Sequence, residues 1–183
     1  MQTVEKGTIL IAEPFLQDVN FQRTVILVCE HDLEGTFGIT INKDTGDPLG
    51  YYLEDSDESF MPLFDGGPVG RDQLHFLHMV PDLIPGGLHI TDGIYWGGDF
   101  ETMTALIRDR TINEDEIRFF LGYSGWEPLQ LDEELKEKSW LCIPGNASLV
   151  FNKDLKSIWK DAVRELGSDY LPMINYPLDP SFN

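Results

Sequence analysis

The longest apolar run of the chain lies near its N-terminus and predicts a central β-strand. Residues 24–31 include five consecutive apolar side chains, from Val25 to Cys29. Because successive side chains of a strand point to opposite faces, such a run predicts a strand covered on both faces. Residues 37–42 alternate apolar with small or polar side chains and predict a strand with one apolar face. The short link at residues 32–35 ends in Gly35 and predicts a hairpin.

Helical spacing appears in three later segments. The clearest is residues 155–166, where apolar side chains recur at helical intervals between Asp154 and Gly167 and predict a helix that covers a sheet face. A second stripe follows Asp99, a candidate N-cap, and a third helix is predicted from Pro128 to about residue 138. Further strands are predicted at residues 8–12, 73–80, 93–96, 117–121 and 140–143.

These elements predict one domain over residues 1–183, since a chain of 183 residues can bury a substantial core. The expected fold class is α+β, with a mixed, mostly antiparallel, strongly curved sheet and helices packed outside it. The last residues, 168–183, contain three prolines and no periodicity. They predict an extended C-terminal tail.

The charge balance changes which partners the protein can have. Thirteen basic and 32 acidic residues give a formal net charge of −19. Nonspecific DNA binding relies on cations that displace counterions from phosphates, so this charge argues against nucleic acid as a partner. A large acidic net charge usually serves only to keep a protein soluble, and less often it attracts a basic partner.

The N-terminal residues, the lengths of the apolar runs and the two cysteines together predict the cellular compartment. Residues 1–6 lack the features of a signal peptide, and no apolar run is long enough to span a bilayer, so no membrane association is expected. Cys29 and Cys142 lie in apolar, strand-like contexts without a CxxC motif. They are typical of reduced core cysteines, which predicts a cytoplasmic protein.

Charged groups mark both ends of the predicted central strand. Arg23 is the only lysine or arginine within residues 7–42 and predicts a carboxylate partner or a bound anion. Glu30 and His31 stand at the other end. As neighbours in an extended strand they face opposite sides, so they are not a natural acid–base pair. The structural alternative is an internal ion pair and a hydrogen-bonded histidine.

Residues 122–126, with the sequence GYSGW, have the order strand, sharp turn with Ser124, then helix. This order resembles a nucleophile elbow, but the second glycine is displaced and all four histidines precede the serine. The pattern therefore favours a tight turn, in which Gly122 and Gly125 allow Trp126 to pack.

Residues 65–69, with the sequence DGGPV, predict a second turn. Its backbone N–H groups could face an anion, although the GK[ST] of a phosphate loop is absent and turn geometry is the simpler role. No metal site or cofactor is predicted. His75 and His78 fall on opposite faces of one strand, and the acidic run at residues 54–58 lacks the glycine and spacing of a calcium loop.

Several of these segments together resemble a known family. They are ILIAEPFLQDVNFQRTVILVCEHDLEGTFGITIN at residues 9–42, then DGGPV, then GYSGW followed by Gln130 and Leu131. In this order, over nearly the whole chain, they resemble the signature of the YqgE/AlgH family of small bacterial proteins. The resemblance implies a sheet folded into a barrel-like core. The AlgH part of the name is attached to transcriptional control of exopolysaccharide synthesis, which implies regulation without implying direct DNA contact.

The family signature and the polar segments coincide, which leads to a hypothesis about one cleft. If the ends of the central strand and the two glycine-containing segments converge, they form a single polar site. Its candidate residues are Arg23, Glu30, His31, Gly66, Gly67, Pro68, Ser124, Gly125 and Trp126. The first reading is a non-catalytic regulatory protein that binds a small ligand or a protein partner. The alternative is an enzyme of unknown class using this cleft, and direct DNA binding ranks last. The oligomeric state is left open, and a monomer is compatible with the sequence.

Overall fold

The structure, a computed structural model, describes residues 3–53 and 61–177. The strands in these ranges are β1 (Thr8–Ala12), β2 (Val25–Asp32), β3 (Gly35–Thr40), β4 (Asp44–Pro48), β5 (Pro62–Asp65), β6 (Val69–His78), β7 (Leu88–Thr91), β8 (Ile94–Trp96), β9 (Ile117–Trp126) and β10 (Trp140–Pro144). The α-helices are α1 (Phe100–Arg108), α2 (Gln130–Lys136), α3 (Ala147–Val150) and α4 (Leu155–Glu165), and 3₁₀ segments cover Leu49–Tyr51 and Ser168–Asn175.

The strands form one sheet in the order β10-β1-β2-β3-β9-β6-β8-β7, with antiparallel pairing throughout this path. The hairpin of β4 and β5 lies off the path, and β5 pairs with β9 in parallel. The predicted α+β class with a mixed, mostly antiparallel sheet is confirmed.

The sheet curves so that the start of β1 comes close to the end of β7. Gly7, just before β1, has φ of +90°, and a Cβ added there would lie 2.8 Å from the Cβ of Thr91, at the end of β7. The backbone N–H of Ala147 donates to Oδ2 of Asp92 at 2.7 Å, which joins the start of α3 to the β7–β8 turn. The sheet is therefore barrel-like, and glycine is needed at residue 7 because the opposing backbone comes so close.

The central strand β2 is covered on both faces, as its apolar run predicts. Leu27 belongs to the inner core with residues of α4, whereas Ile26 packs on the outer face in a cluster with Trp126 and Trp140. The predicted helix at residues 155–166 corresponds to α4, and its Trp159 is 3% exposed. The indole N–H of Trp159 donates to the carbonyl oxygen of Ala12 at 2.9 Å, which fastens α4 to the sheet.

The C-terminal segment differs from the prediction. The expected extended tail is wrong for Ser168–Asn175, which forms 3₁₀ turns. Gly167 ends α4 with φ of +109°, and Tyr170, Met173 and Ile174 then fold back against the inner core. Burial of these apolar side chains outweighs the lack of helical periodicity. Residues 178–183 and the acidic run at 54–58 lie outside the described ranges.

No helix in residues 3–53 and 61–177 is both long enough and apolar enough to cross a bilayer.

Candidate binding site

The candidate site lies where the β2–β3 hairpin meets the C-terminal end of β9. Phe37 of β3 is paired with Gly125 of β9 on one side and with Glu30 of β2 on the other. A β-bulge between Val28 and Glu30 shifts the register at this point. Because directly paired residues of antiparallel strands project from the same face, the bulge brings Glu30 onto the face of Phe37. A carboxylate and an aromatic ring therefore stand side by side.

A cavity of about 450 Å³, the first cavity, opens beside this pair. Its lining contains no lysine or arginine but four carboxylates, namely Glu30, Asp32, Glu34 and Glu127. Among the described residues, none of the four takes part in an ion pair. All four are exposed, so water partly screens them, but their charges add up over one concave surface. The lining of the first cavity is therefore acidic, a charge that favours cations over phosphates and carboxylates.

Aromatic rings form one wall of the first cavity. Phe37 and Tyr123 line it and stack with their centroids 4.5 Å apart, and Trp96 stacks on Phe37 at 4.7 Å. The ring of His75 lies 5.3 Å from Phe37, and its Nε2 is buried without a hydrogen-bond partner among the described residues. Burial lowers the pKa of His75, which favours the neutral imidazole. The wall is thus an uncharged aromatic surface, which suits a cation placed against it.

A second cavity of about 300 Å³ lies next to the first and shares Asp32, Gly35, Thr36 and Glu127 with it. Its other lining residues are His31, Leu33, Leu129, Leu131 and Asp132. Nδ1 of His31 lies 2.7 Å from Oγ1 of Thr36, so this histidine has an internal partner. The leucines at 33 and 129 are 93% and 70% exposed, whereas the leucine at 131 is buried. The second cavity is therefore apolar with an acidic margin.

The GYSGW segment is strand and not turn, so that prediction is wrong. It forms the last half of β9, and Gly122, with φ of +69°, bends the strand without ending it because β3 and β6 pair on either side. Ser124 is fully buried. Its Oγ lies 3.1 Å from Oγ1 of Thr40 and donates to the carbonyl oxygen of Gly66 at 3.3 Å. Ser124 therefore ties three backbone segments together and has no histidine beside it.

Trp126, the last residue of β9, contributes to two places. It lines the first cavity, while its side chain belongs to the outer cluster and is 5% exposed. Oε2 of Glu134 accepts hydrogen bonds from both indoles, at 2.9 Å from Trp126 and 2.7 Å from Trp140. This shared carboxylate fixes α2 against the end of β9.

The DGGPV segment packs against the backbone of β9, next to the site. The N–H of Gly66 donates to the carbonyl oxygen of Leu121 at 2.8 Å, and the N–H of Gly67 donates to Oδ1 of Asp65 at 3.1 Å. These donors are used internally and do not face an anion. A Cβ at Gly67 would lie 2.2 Å from the backbone of Tyr123, so glycine is needed for close approach. Pro68 is exposed, and neither it nor the two glycines lines the first or the second cavity.

Arg23 lies at the opposite end of β2, about 20 Å from Glu30 at the usual rise of a strand. Its guanidinium stacks over Trp159 with 4.7 Å between Cζ and the ring centroid, and its Nη2 donates to the carbonyl oxygen of Tyr176. The predicted carboxylate partner is replaced by this carbonyl and ring. Desolvation lowers the pKa of Arg23. Arg23 therefore belongs to the packing of the C-terminal segment and not to either cavity.

The cysteines and metal-ligating side chains add no chemistry to the site. Cys29 is fully buried; burial first, and the charge of Glu30 second, raise the pKa of its thiol, so it stays protonated. Burial also raises the pKa of Cys142, to about 11. In residues 3–53 and 61–177, no group of three or more His, Cys, Asp or Glu side chains is placed to hold a metal ion.

The structure thus brings together part of the predicted set. Glu30, Gly125 and Trp126 line the first cavity, His31 lines the second, and Ser124, Gly66 and Gly67 pack beneath them. Sequence reasoning missed the aromatic wall, the clustered carboxylates and the two exposed leucines. A detectable signal existed only for the leucines, since both occupy turn positions where polar residues or glycine are usual.

Comparisons with known proteins agree with this architecture. The chain is 44% identical over 179 residues to a UPF0301 protein of Cytophaga hutchinsonii, covering 97% of this chain and 98% of that protein. It is 43% identical to a UPF0301 protein of Bacteroides fragilis, covering 97% and 91% of the two chains.

Solved structures show the same fold. The solution structure of the AlgH protein from Pseudomonas aeruginosa matches with a TM-score of 0.74 and 26% identity, over 97% of this chain and 98% of that one. The crystal structure of protein DIP2367 from Corynebacterium diphtheriae matches with a TM-score of 0.77 and 20% identity, over 96% and 94%. A family model described as AlgH-like matches residues 9–171. The chain therefore belongs to the AlgH-like family.

Proposed function

We propose that this protein is a non-catalytic binding protein of the bacterial cytoplasm, and that its first cavity receives a positively charged group of a ligand or partner. Its regulatory role would then follow from occupancy of this cavity and not from contact with DNA. The observation that carries the proposal is the lining of the first cavity, which combines four carboxylates with an aromatic wall and has no basic residue.

Cationic groups gain from both parts of this lining. A guanidinium or ammonium can pair with a carboxylate, and its charge is also attracted by the face of an aromatic ring. Phe37 and Tyr123 are already stacked on each other, so little side-chain entropy is lost when a ligand orders against them. The overall charge of −19 adds a long-range attraction for a basic partner.

A binding role fits the polar groups near the cavity better than a catalytic role. The hydroxyl of Ser124 is buried in a bond to the backbone, and the buried thiol of Cys29 is held protonated. Nδ1 of His31 is bonded to Thr36, and His75 is packed among aromatic rings. None of these side chains has the nucleophile–base contact that covalent catalysis requires. The cytoplasmic location is supported by Cys29, a fully buried thiol that forms no disulfide.

A titration with small cations tests the proposal. Argininamide and spermidine are added to the protein labelled with ¹⁵N, and amide shifts are followed at low and at high salt. We expect saturable shifts centred on Glu30, Phe37 and Tyr123, and weaker binding at high salt because screening reduces charge attraction. A neutral compound of similar size, such as Nα-acetylcitrulline amide, should produce no comparable shifts.

A charge-matched pair of variants separates the cavity from general acidity. Neutralisation at Glu30, Asp32 and Glu127 by Gln or Asn should reduce argininamide affinity by at least about tenfold. The control neutralises three exposed acidic residues outside the cavity, Asp72, Asp82 and Glu137. Equal losses in both variants, or shifts scattered over the whole surface, would contradict the proposal.

A further inference from the structure

We propose that the occupant of the site is a segment of a partner protein that carries a basic residue followed closely by an apolar one. The segment crosses the end of the β2–β3 hairpin, with the basic side chain in the first cavity and the apolar side chain in the second. This inference rests on the proposed function and names the class of partner.

Apolar anchoring is provided by the second cavity. Leu33 stands at the hairpin turn with 93% of its surface exposed, and Leu129 faces the same cavity with 70% exposed. Single exposed leucines are ordinary, but two beside one concavity of about 300 Å³ form an apolar docking surface. The buried Leu131 lines this surface too, so an apolar side chain entering here meets three leucines.

The backbone at Leu129 supplies an independent reason to regard this surface as functional. Gln130 donates its N–H to the carbonyl oxygen of Glu127 at 3.0 Å, which closes a turn with Pro128 at its second position. Leu129 takes the third position with φ of 67° and ψ of −9°, the left-handed conformation of a type II turn. Glycine or asparagine is usual there, and leucine is disfavoured by its side chain.

Leu129 breaks a second local rule as well. It is the N-cap residue of α2, and its side chain makes no capping hydrogen bond. Serine, threonine, aspartate or asparagine is the usual residue at an N-cap. A leucine that is strained, uncapped and mostly exposed costs the fold stability. Strain of this kind is expected at binding sites, where the side chain is used by a ligand.

Charge selects the remaining chemistry of the occupant. Asp32 and Glu127 line both cavities, Asp132 lies at the margin of the second, and neither lining contains lysine or arginine. A free polyamine would match the first cavity only. An acidic segment would be repelled by these carboxylates, and a purely apolar segment would leave them without a partner. A basic side chain next to an apolar one matches both cavities, with an apolar anchor surrounded by a charged margin.

The test starts from a phage-displayed library of random peptides selected on the full protein. We expect the selected sequences to combine arginine or lysine with a leucine, isoleucine, methionine or aromatic residue at a constant short spacing. Selected sequences without basic residues, or without a recurring apolar residue, would overturn the inference. The best peptide is then synthesised with a fluorophore and titrated against variants by anisotropy.

The decisive variant is Leu129→Asn, because its effects on folding and on binding go in opposite directions. Asparagine tolerates the left-handed conformation better than leucine does, so the melting temperature should rise. Loss of the leucine side chain that the bound peptide would cover should weaken peptide binding by about tenfold or more. Leu33→Ser should weaken binding similarly with little change in melting temperature, and Leu88→Ser, at an exposed leucine of β7, is the matched control.

Argininamide distinguishes failure of this inference from failure of the proposed function. If argininamide binds in a manner dependent on Glu30 while Leu33→Ser and Leu129→Asn leave peptide affinity unchanged, the partner assignment is wrong and the proposed function stands. If neutralisation at Glu30, Asp32 and Glu127 affects neither argininamide nor peptide, the cationic site itself is wrong. A peptide that loses affinity in both sets of variants supports both proposals.

Discussion

The two ends of strand β2 carry charge of opposite sign, and they use it differently. At the Arg23 end, the guanidinium is stacked on Trp159 and bonded to the carbonyl of Tyr176, whose ring in turn stacks on Phe15 at 5.2 Å. At the Glu30 end, the carboxylates surround an open cavity. Charge at the first end is used to hold the chain together, and charge at the second remains available to a ligand. A charged residue at a strand end therefore marks a site only where its partners are missing and space is left beside it.

The largest expected effect concerns the Arg23 end. Trp159→Ala removes a buried ring, its hydrogen bond to Ala12 and the surface on which Arg23 stacks, so the free energy of unfolding should fall by about 3–5 kcal/mol. Urea denaturation followed by circular dichroism measures this change. The folded variant should still bind argininamide at the other end of β2.

Trp159→Phe keeps most of the ring and serves as the second variant if Trp159→Ala does not fold. A loss below about 1 kcal/mol for Trp159→Ala, a typical effect of a surface substitution, would show that this end of β2 is not a structural anchor.

Charge reversal at the other end should act on binding and leave the fold intact. Glu30→Lys places a cation among three remaining carboxylates, so argininamide affinity should fall by more than about tenfold. Calorimetric titration measures the affinity, and thermal unfolding checks stability. Asp82→Lys, at an exposed position outside both cavities, is the control for net charge. A large loss of stability in Glu30→Lys would mean that this end is structural as well.

The strained backbone at Leu129 allows a test of whether the Glu30 end of β2 lowers the free energy of unfolding, in contrast to the Arg23 end. Leu129→Asn should raise the free energy of unfolding by about 1 kcal/mol, since asparagine is tolerated in the left-handed conformation that strains leucine. Chemical denaturation of the variant beside the wild type measures the difference. Leu33→Asn, at the neighbouring exposed leucine of the hairpin, should be close to neutral. Destabilisation by Leu129→Asn would contradict the view that stability is given up at this end.

The smallest effect is a pH dependence located behind the aromatic wall. Burial lowers the pKa of His75, so the unfolded chain takes up this proton at a higher pH than the folded chain does. The free energy of unfolding should therefore decline as the pH falls below the ordinary histidine pKa of about 6.5. His78, whose pKa is also lowered by burial, contributes in the same direction.

His75→Phe isolates this contribution. Unfolding measured from about pH 7.5 to about pH 5.5 should show a shallower decline than in the wild type, because one titrating group is removed. Identical slopes in His75→Phe and the wild type would show that His75 is not the group responsible.

Side-chain patterns predicted the fold wherever one pattern decided the structure. The apolar run of β2 required cover on both faces, and the stripe of α4 required a sheet to cover; both are present. Asp99 was predicted to cap α1, and its side chain accepts a hydrogen bond from the N–H of Thr102. These features depend only on the spacing of side chains along the chain, which can be read directly from the sequence.

The site was less predictable because it depends on pairing between distant segments. Simple alternation places Glu30 on the face opposite Leu27, but the bulge before Glu30 turns it toward Phe37. The bulge is formed only when β2 pairs with β3, and the cavity only when Tyr123 of β9 arrives beside them. Likewise, GYSGW has the composition of a turn, yet pairing on both sides keeps Ser124 in a strand.

The carboxylate of Glu134 has a consequence for how the protein can be observed. It links the indoles of Trp126 and Trp140, whose rings meet edge to face with centroids 5.8 Å apart, directly behind the lining of the first cavity. The fluorescence of an indole depends on the charge and hydrogen bonding at its nitrogen. A ligand that displaces the end of β9 should therefore change the intrinsic emission of this pair. The protein carries its own optical reporter, and ligands can be screened by emission without any added label.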